Sequence, residues 1–103
     1  MKEFDEIKAA HPTWKDEQVW TALSLNMEAD KVIESKGNDI SVNDPIIIEE
    51  IVKGAKKWLA EVLPVIFEKV KDFFQKLLAN IEVLVKEGLK KGIEYLIKVL
   101  ITN

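Results

Sequence analysis

The chain has 103 residues with 18 Asp and Glu against 15 basic residues, every one of them Lys; it has no Cys. The length fits one domain, and the missing Cys excludes disulfides, zinc-thiolate sites and a thiol nucleophile. The net charge of −3 and the absence of Arg, whose planar fork reads phosphate and guanine, argue against nucleic-acid recognition.

The charge is unevenly divided. Residues 1–44 hold 5 Lys and 10 acids, whereas residues 51–103 hold 10 Lys and 6 acids. The charged opening Met1-Lys-Glu-Phe-Asp-Glu predicts no signal peptide. No apolar run approaches the ~20 residues a spanning helix needs. A cytoplasmic location is the expectation.

Residues 1–12 read as an N-terminal arm with a short helical turn, because Phe4, Ile7 and Ala10 share a helical spacing and His11-Pro12 ends it. Thr13 is the predicted N-cap of a first helix over 14–36, with Asp16 completing a capping box and Gly37 closing the far end. That helix is apolar on two sides. Val19, Trp20, Leu23, Met27 and Ile33 cover one, and Trp14, Ala22, Leu25, Ala29 and Val32 the other. A strip through Glu17, Thr21, Ser24, Glu28 and Lys31 is left to face water. Such a helix wants two neighbours, or one neighbour and a partner chain.

Residues 37–44 are a loop by composition. Asp44-Pro45 is a strong helix start, since Asp caps and proline suits the first helical position. From there an apolar stripe runs over 45–101: Ile48, Val52, Ala55, Leu59, Val62, Ile66, Val70, Phe73, Leu77, Ile81 and Leu84 recur at steps of three and four. Pro64 interrupts it at a cost of ~3 kcal/mol, but the stripe keeps phase, which favours a kink over a loop. Ala79-Asn80 is the candidate turn, followed by a last helix near 81–101. In Gly88-Leu-Lys-Lys-Gly92 the glycines stand four apart. Two readings stay open for them: close approach of a neighbouring backbone, or a turn.

The chemistry-bearing residues are sparse. Asp39, Ser41, Asn43 and Glu50 take the first, third, fifth and twelfth positions of a calcium-binding EF-hand loop. Asp44 stands where the loop needs Gly, and Pro45 pushes it towards extended geometry, against that turn. A capped interhelical loop is the better reading. His11 is the single histidine and has no spacing to Ser24, Ser35 or Ser41 that suggests a triad. Glu49-Glu50 are adjacent on a helix and point about 100° apart, so they compensate the helix dipole instead of converging on a substrate. No catalytic residue, metal ligand or cofactor site is assigned.

The fold expected is all-α: a small helical bundle with a long kinked amphipathic helix and a C-terminal helix, since short connections set successive helices side by side. The expected function is non-catalytic, a helical protein–protein interaction or structural module that self-associates, with Trp20, Trp58, Phe67 and Phe74 as interaction anchors. Small size and a Lys- and Ile-rich composition fit a phage or mobile-element accessory protein. The surplus apolar positions Ile46, Ile47, Val65, Val83, Val99 and Ile101 argue for a homo-oligomer or another protein partner. The alternative is an amphipathic protein of the membrane surface that lays its Lys-rich helices 51–103 on anionic lipid.

Overall fold

The structure, a computed structural model, describes residues 1–37 and 44–101. These residues form six helices and no strand: α1 (Lys2–Ala10), α2 (Asp16–Lys36), α3 (Pro45–Val62), α4 (Pro64–Ala79), α5 (Ile81–Glu87) and α6 (Leu89–Leu100). The all-α bundle expected from the periodicity is the fold observed.

Helix α2 is its centre. It packs against α1, α3, α4 and α6, so most of both apolar sides is covered inside one chain, with Met27 half-buried and Ile33 exposed. Its polar strip reaches solvent at Lys31, with Glu17 and Glu28 half-buried, but its middle is closed. Thr21 and Ser24 are completely buried. Each hydroxyl donates back to its own helix, Thr21 Oγ1 to the Glu17 carbonyl at 2.6 Å and Ser24 Oγ to the Thr21 carbonyl at 2.8 Å. A buried hydroxyl without a partner costs about 1–3 kcal/mol on mutational evidence, and these local bonds remove that cost. Gln18, also buried, reaches the far end of the chain: Nε2 donates to the Ile101 carbonyl at 3.3 Å.

The start of α2 differs from expectation. The cap is Lys15, not Thr13. Pro12 and Thr13 sit in a turn closed by the Trp14 N–H on the His11 carbonyl at 3.0 Å. Trp14 is thereby buried before the helix begins. Gln18 Oε1 accepts the Lys15 N–H at 2.7 Å, the reciprocal half of a capping box. The arm before it is a full helix, α1, whose Phe4 ring lies 5.0 Å from that of Trp20. The other caps match the sequence. Asp44 Oδ1 accepts the Ile46 N–H at 2.8 Å, and Gly37 closes α2 with φ +76° and its N–H on the Ile33 carbonyl.

The stripe over 45–101 is broken where it was expected to bend. Leu63 leaves the helical region (φ −132°, ψ 66°), which ends α3 and starts α4 with Pro64 at its first position. Proline disfavours the α conformation in the residue before it, so a continuous kinked helix is replaced by a corner. The turn at Asn80 is present. A further break divides the last helix at Gly88, whose φ of +90° is open to glycine and strained for other residues. After it α6 folds back on α5 so closely that a Cβ on Gly92 would lie 2.6 Å from Leu84 Cδ2 and 3.1 Å from Leu84 Cα. Both readings of the glycine pair hold, one at each glycine. Gly54 brings α3 against α2, but the atoms nearest a Cβ there belong to the Glu28 side chain.

The core joins all the helices except α1, including Val19, Leu25, Ile48, Ile51, Leu59, Phe74, Leu77, Leu84, Ile93 and Ile97 at 2% exposure or less, with Phe4 and Ile7 of α1 packed on its margin.

The two helical glycines give a paired expectation. Gly92→Ala drives a methyl into the fully buried Leu84 side chain and against its Cα and lowers unfolding free energy by about 2 kcal/mol or more. Gly54→Ala displaces a flexible side chain while gaining helix propensity, and stays within about 1 kcal/mol of wild type. Urea denaturation of both variants checks the difference. By the same measurement Pro64→Ala loses about 1 kcal/mol, because the corner conformation of Leu63 is no longer favoured in the unfolded chain. An increase would show that the two helices prefer to merge.

Candidate functional site

The four proposed anchors occupy different environments. Phe74 has no exposed surface and belongs wholly to the core. It is thus unavailable to a partner, and its place on the main stripe is explained by packing within the chain. Its ring lies 5.6 Å from that of Phe73 in an edge-to-face pair and 6.4 Å from that of Phe67. Phe67, Trp58 and Trp20 are half-buried and lean on the same core, Trp20 beneath Phe4. The structure brings Phe67 and Phe74 together and gives Trp20 to α1.

The surplus apolar positions also divide. Ile47, Val83 and Ile101 pack against the core. Ile46, Val65 and Val99 remain exposed, joined by Val62 and Tyr95. Val62 (53% exposed) and Val65 (73%) stand on either side of the Leu63-Pro64 corner. Tyr95 (56%) and Val99 (45%) lie one turn apart on the outside of α6. Lys91 and Lys98 share that face, at four and three residues from Tyr95. Val62 is not among the expected anchors because it lies on the stripe, nor is Tyr95, because one exposed aromatic on a helix leaves no periodic signal that separates it from the core aromatics.

The outer face of α6 is bordered by two hollows. One, of about 540 Å³, lies against α5 and is lined by Val83, Lys86, Glu87, Lys91 and Tyr95. The other, of about 320 Å³, is lined by His11, Trp14, Lys91, Glu94, Tyr95 and Lys98. The His11 imidazole stacks on the Trp14 indole with centroids 3.7 Å apart and planes at 6°, and its Nε2 lies 3.5 Å from Glu94 Oε1. His11 is therefore a junction residue that ties the α1–α2 turn to α6. Lys8 Nζ adds a hydrogen bond to the Trp14 carbonyl.

Charged groups elsewhere form surface pairs. Lys53 and Glu49 are 2.7 Å apart, and Lys36 and Glu50 are 3.8 Å apart. Glu50 thus pairs with the end of α2; Asp39, Ser41 and Asn43 lie outside the described residues. The hydrogen bond from Lys71 to Glu68, at 3.0 Å, and the charge of that carboxylate hold the Lys71 ammonium above its ordinary value of 10.5. Among the described residues no three His, Cys, Asp or Glu side chains gather to hold a metal ion. Among the same residues no helix is long and apolar enough to cross a membrane.

No protein-family model matches this chain, and no curated protein and no solved structure matches it either. The functional reading therefore rests on the surface just described.

The contrast between the two neighbouring phenylalanines, Phe67 and Phe74, is measurable. Phe74→Ala empties a fully buried site and lowers unfolding free energy by about 3–5 kcal/mol. Phe67→Ala removes a half-buried ring and loses about half as much. Equal losses in chemical denaturation would contradict the assignment of Phe74 to the core and Phe67 to its margin.

Proposed function

We propose that the protein is a non-catalytic helical interaction module that self-associates through the outer face of α6. The observation that carries this reading is the exposure of Tyr95 and Val99 on a helix whose opposite face is locked into the core by Ile93 and Ile97. Apolar groups held on a rigid element lose little conformational entropy on docking, and an aromatic with a polar tip suits the edge of an interface. A two-fold dimer is the simplest assembly, since each copy then gives and receives the same contacts.

The pull towards association is weaker than the sequence alone suggests. Helix α2 finds both neighbours within its own chain, and half of the surplus apolar positions are packed away. The apolar surface that α6 leaves exposed, Tyr95 and Val99, is a small patch, which fits a reversible dimer at micromolar concentration better than an obligate one.

A second reading is favoured by a different feature. The Val62–Val65 corner projects apolar groups without a partner, and the chain from residue 51 onward carries excess Lys. An apolar corner beside cationic helices suits shallow insertion into anionic lipid.

Sedimentation equilibrium over a concentration series separates the two. The expected result is a monomer–dimer equilibrium in the micromolar range, shifted to monomer by Tyr95→Ser with Val99→Ser while helicity is unchanged. Val62→Asp with Val65→Asp leaves it intact. A wild-type protein that stays monomeric and binds anionic vesicles only while Val62 and Val65 are present would overturn self-association in favour of the lipid reading.

A further inference from the structure

Two surfaces of opposite character lie on either side of α6. The first is a groove of about 310 Å³ between α1, α2 and the start of α6, with Ile7, Leu23 and Met27 on its floor and Glu3, Glu6 and Asp30 on its rim. A hollow of about 220 Å³ shares Asn26, Asp30 and Lys90 with it and continues the apolar floor to Ala29 and Ile33. The second surface is the outer flank of α6 with Lys86 of α5, where Lys91, Tyr95, Lys98 and Val99 are exposed.

The charges of the two surfaces are unspent. Lys8, Lys31, Lys36, Lys53 and Lys71 each lie within 4.0 Å of a carboxylate of their own chain. Among the described residues, Glu3, Glu6 and Asp30 make no such pair, and neither do Lys86, Lys91 and Lys98. Lys90 and the Met1 ammonium are cations beside the three carboxylates of the groove, and Glu87 and Glu94 border the basic flank, with Glu94 turned to His11. The groove keeps an acidic excess and the flank a basic one.

We infer that the acidic groove of α1 and α2 receives the Lys91–Val99 flank of α6 from a second copy of this chain. The inference rests on the self-association proposed above and supplies the surface that meets the exposed flank. Lys91, Tyr95 and Lys98 stand at i, i+4 and i+7 on one helical face. That spacing sets two ammonium groups on either side of one ring. The ring and Val99 enter over Met27 and Ile7, where a thioether adapts its shape to an aromatic edge. The lysine stems cover apolar surface while their heads meet Glu3, Glu6 and Asp30. The apolar centre gives affinity, and the charged rim fixes orientation and accelerates encounter. In a two-fold dimer the contact occurs twice, each copy giving its flank and its groove.

Charge reversal in trans tests this. One variant carries Glu6→Lys with Asp30→Lys, the other Lys91→Glu with Lys98→Glu. All four positions are exposed, and circular dichroism verifies that helicity is kept. By sedimentation equilibrium each variant alone associates at least about tenfold more weakly than wild type, because like charges now face each other. An equimolar mixture of the two regains association, and so does a chain carrying all four substitutions. The wild-type dimer also weakens as salt rises to about 0.5 M, which screens exposed charges. If both reversed variants associate like wild type while Tyr95→Ser with Val99→Ser abolishes association, self-association stands and the groove contact is overturned. The groove contact also falls if the mixture and the fourfold variant stay monomeric. A wild-type chain that is monomeric at every concentration overturns both.

Discussion

Everything in this fold depends on one helix being enclosed by the others. Helix α2 meets neighbours on every side between Gln18 and Leu25. A helix with a polar strip pays a desolvation penalty in such a position unless each polar group brings its own partner. Thr21 and Ser24 do so through carbonyls three and four residues back, and Gln18 does so through the Lys15 N–H and the Ile101 carbonyl. Their size matters equally. Thr21, Ala22 and Ser24 are small, so adjacent helices approach α2 closely. The corner at Leu63 and the reversal at Gly88 then bring α3, α4 and α6 onto it beside α1, where two long rods would cover only two of its sides.

That enclosure determines what the surface can offer. Ile47, Val83 and Ile101 are drawn inward to complete the shell, and Phe74 is taken fully into the core. The apolar groups left outside include Val62 and Val65 at the Leu63-Pro64 corner, Tyr95 and Val99 on the outside of α6, Ile46 at the start of α3 and Ile33 near the end of α2. Acids of α1 and α2 collect at the groove, and lysines of α5 and α6 at the outer flank of α6, so part of the uneven charge of the sequence becomes an uneven charge of the surface. Interaction through complementary faces follows from that arrangement, with α6 serving as core on one side and as contact on the other.

Much of the fold was legible in the sequence because its signals are local. The step of three and four located the helices, Asp44-Pro45 marked a start, and Gly37 marked an end. The errors have one source: they depend on packing that no short window contains. Thr13 is a good cap by type, but Trp14 must be buried against His11, so the helix starts later. Phase continuity across Pro64 is genuine, yet it shows only that α3 and α4 face the same core, not that they are coaxial. Thr21 and Ser24 read as solvated because hydroxyls usually are. The anchors were less legible. An aromatic on an apolar stripe looks the same whether its partner lies in its own chain or another, and Tyr95 and the acidic groove exist only once α1, α2 and α6 are assembled.

The enclosure of α2 is open to direct measurement by residue-resolved amide hydrogen exchange under native conditions. The amides from Val19 to Leu25 should be the slowest in the molecule and exchange only with global unfolding, while those of α1 exchange through smaller local openings. Exchange of the Thr21–Leu25 amides as fast as those of α1 would show that this face of α2 meets water, and would contradict the account.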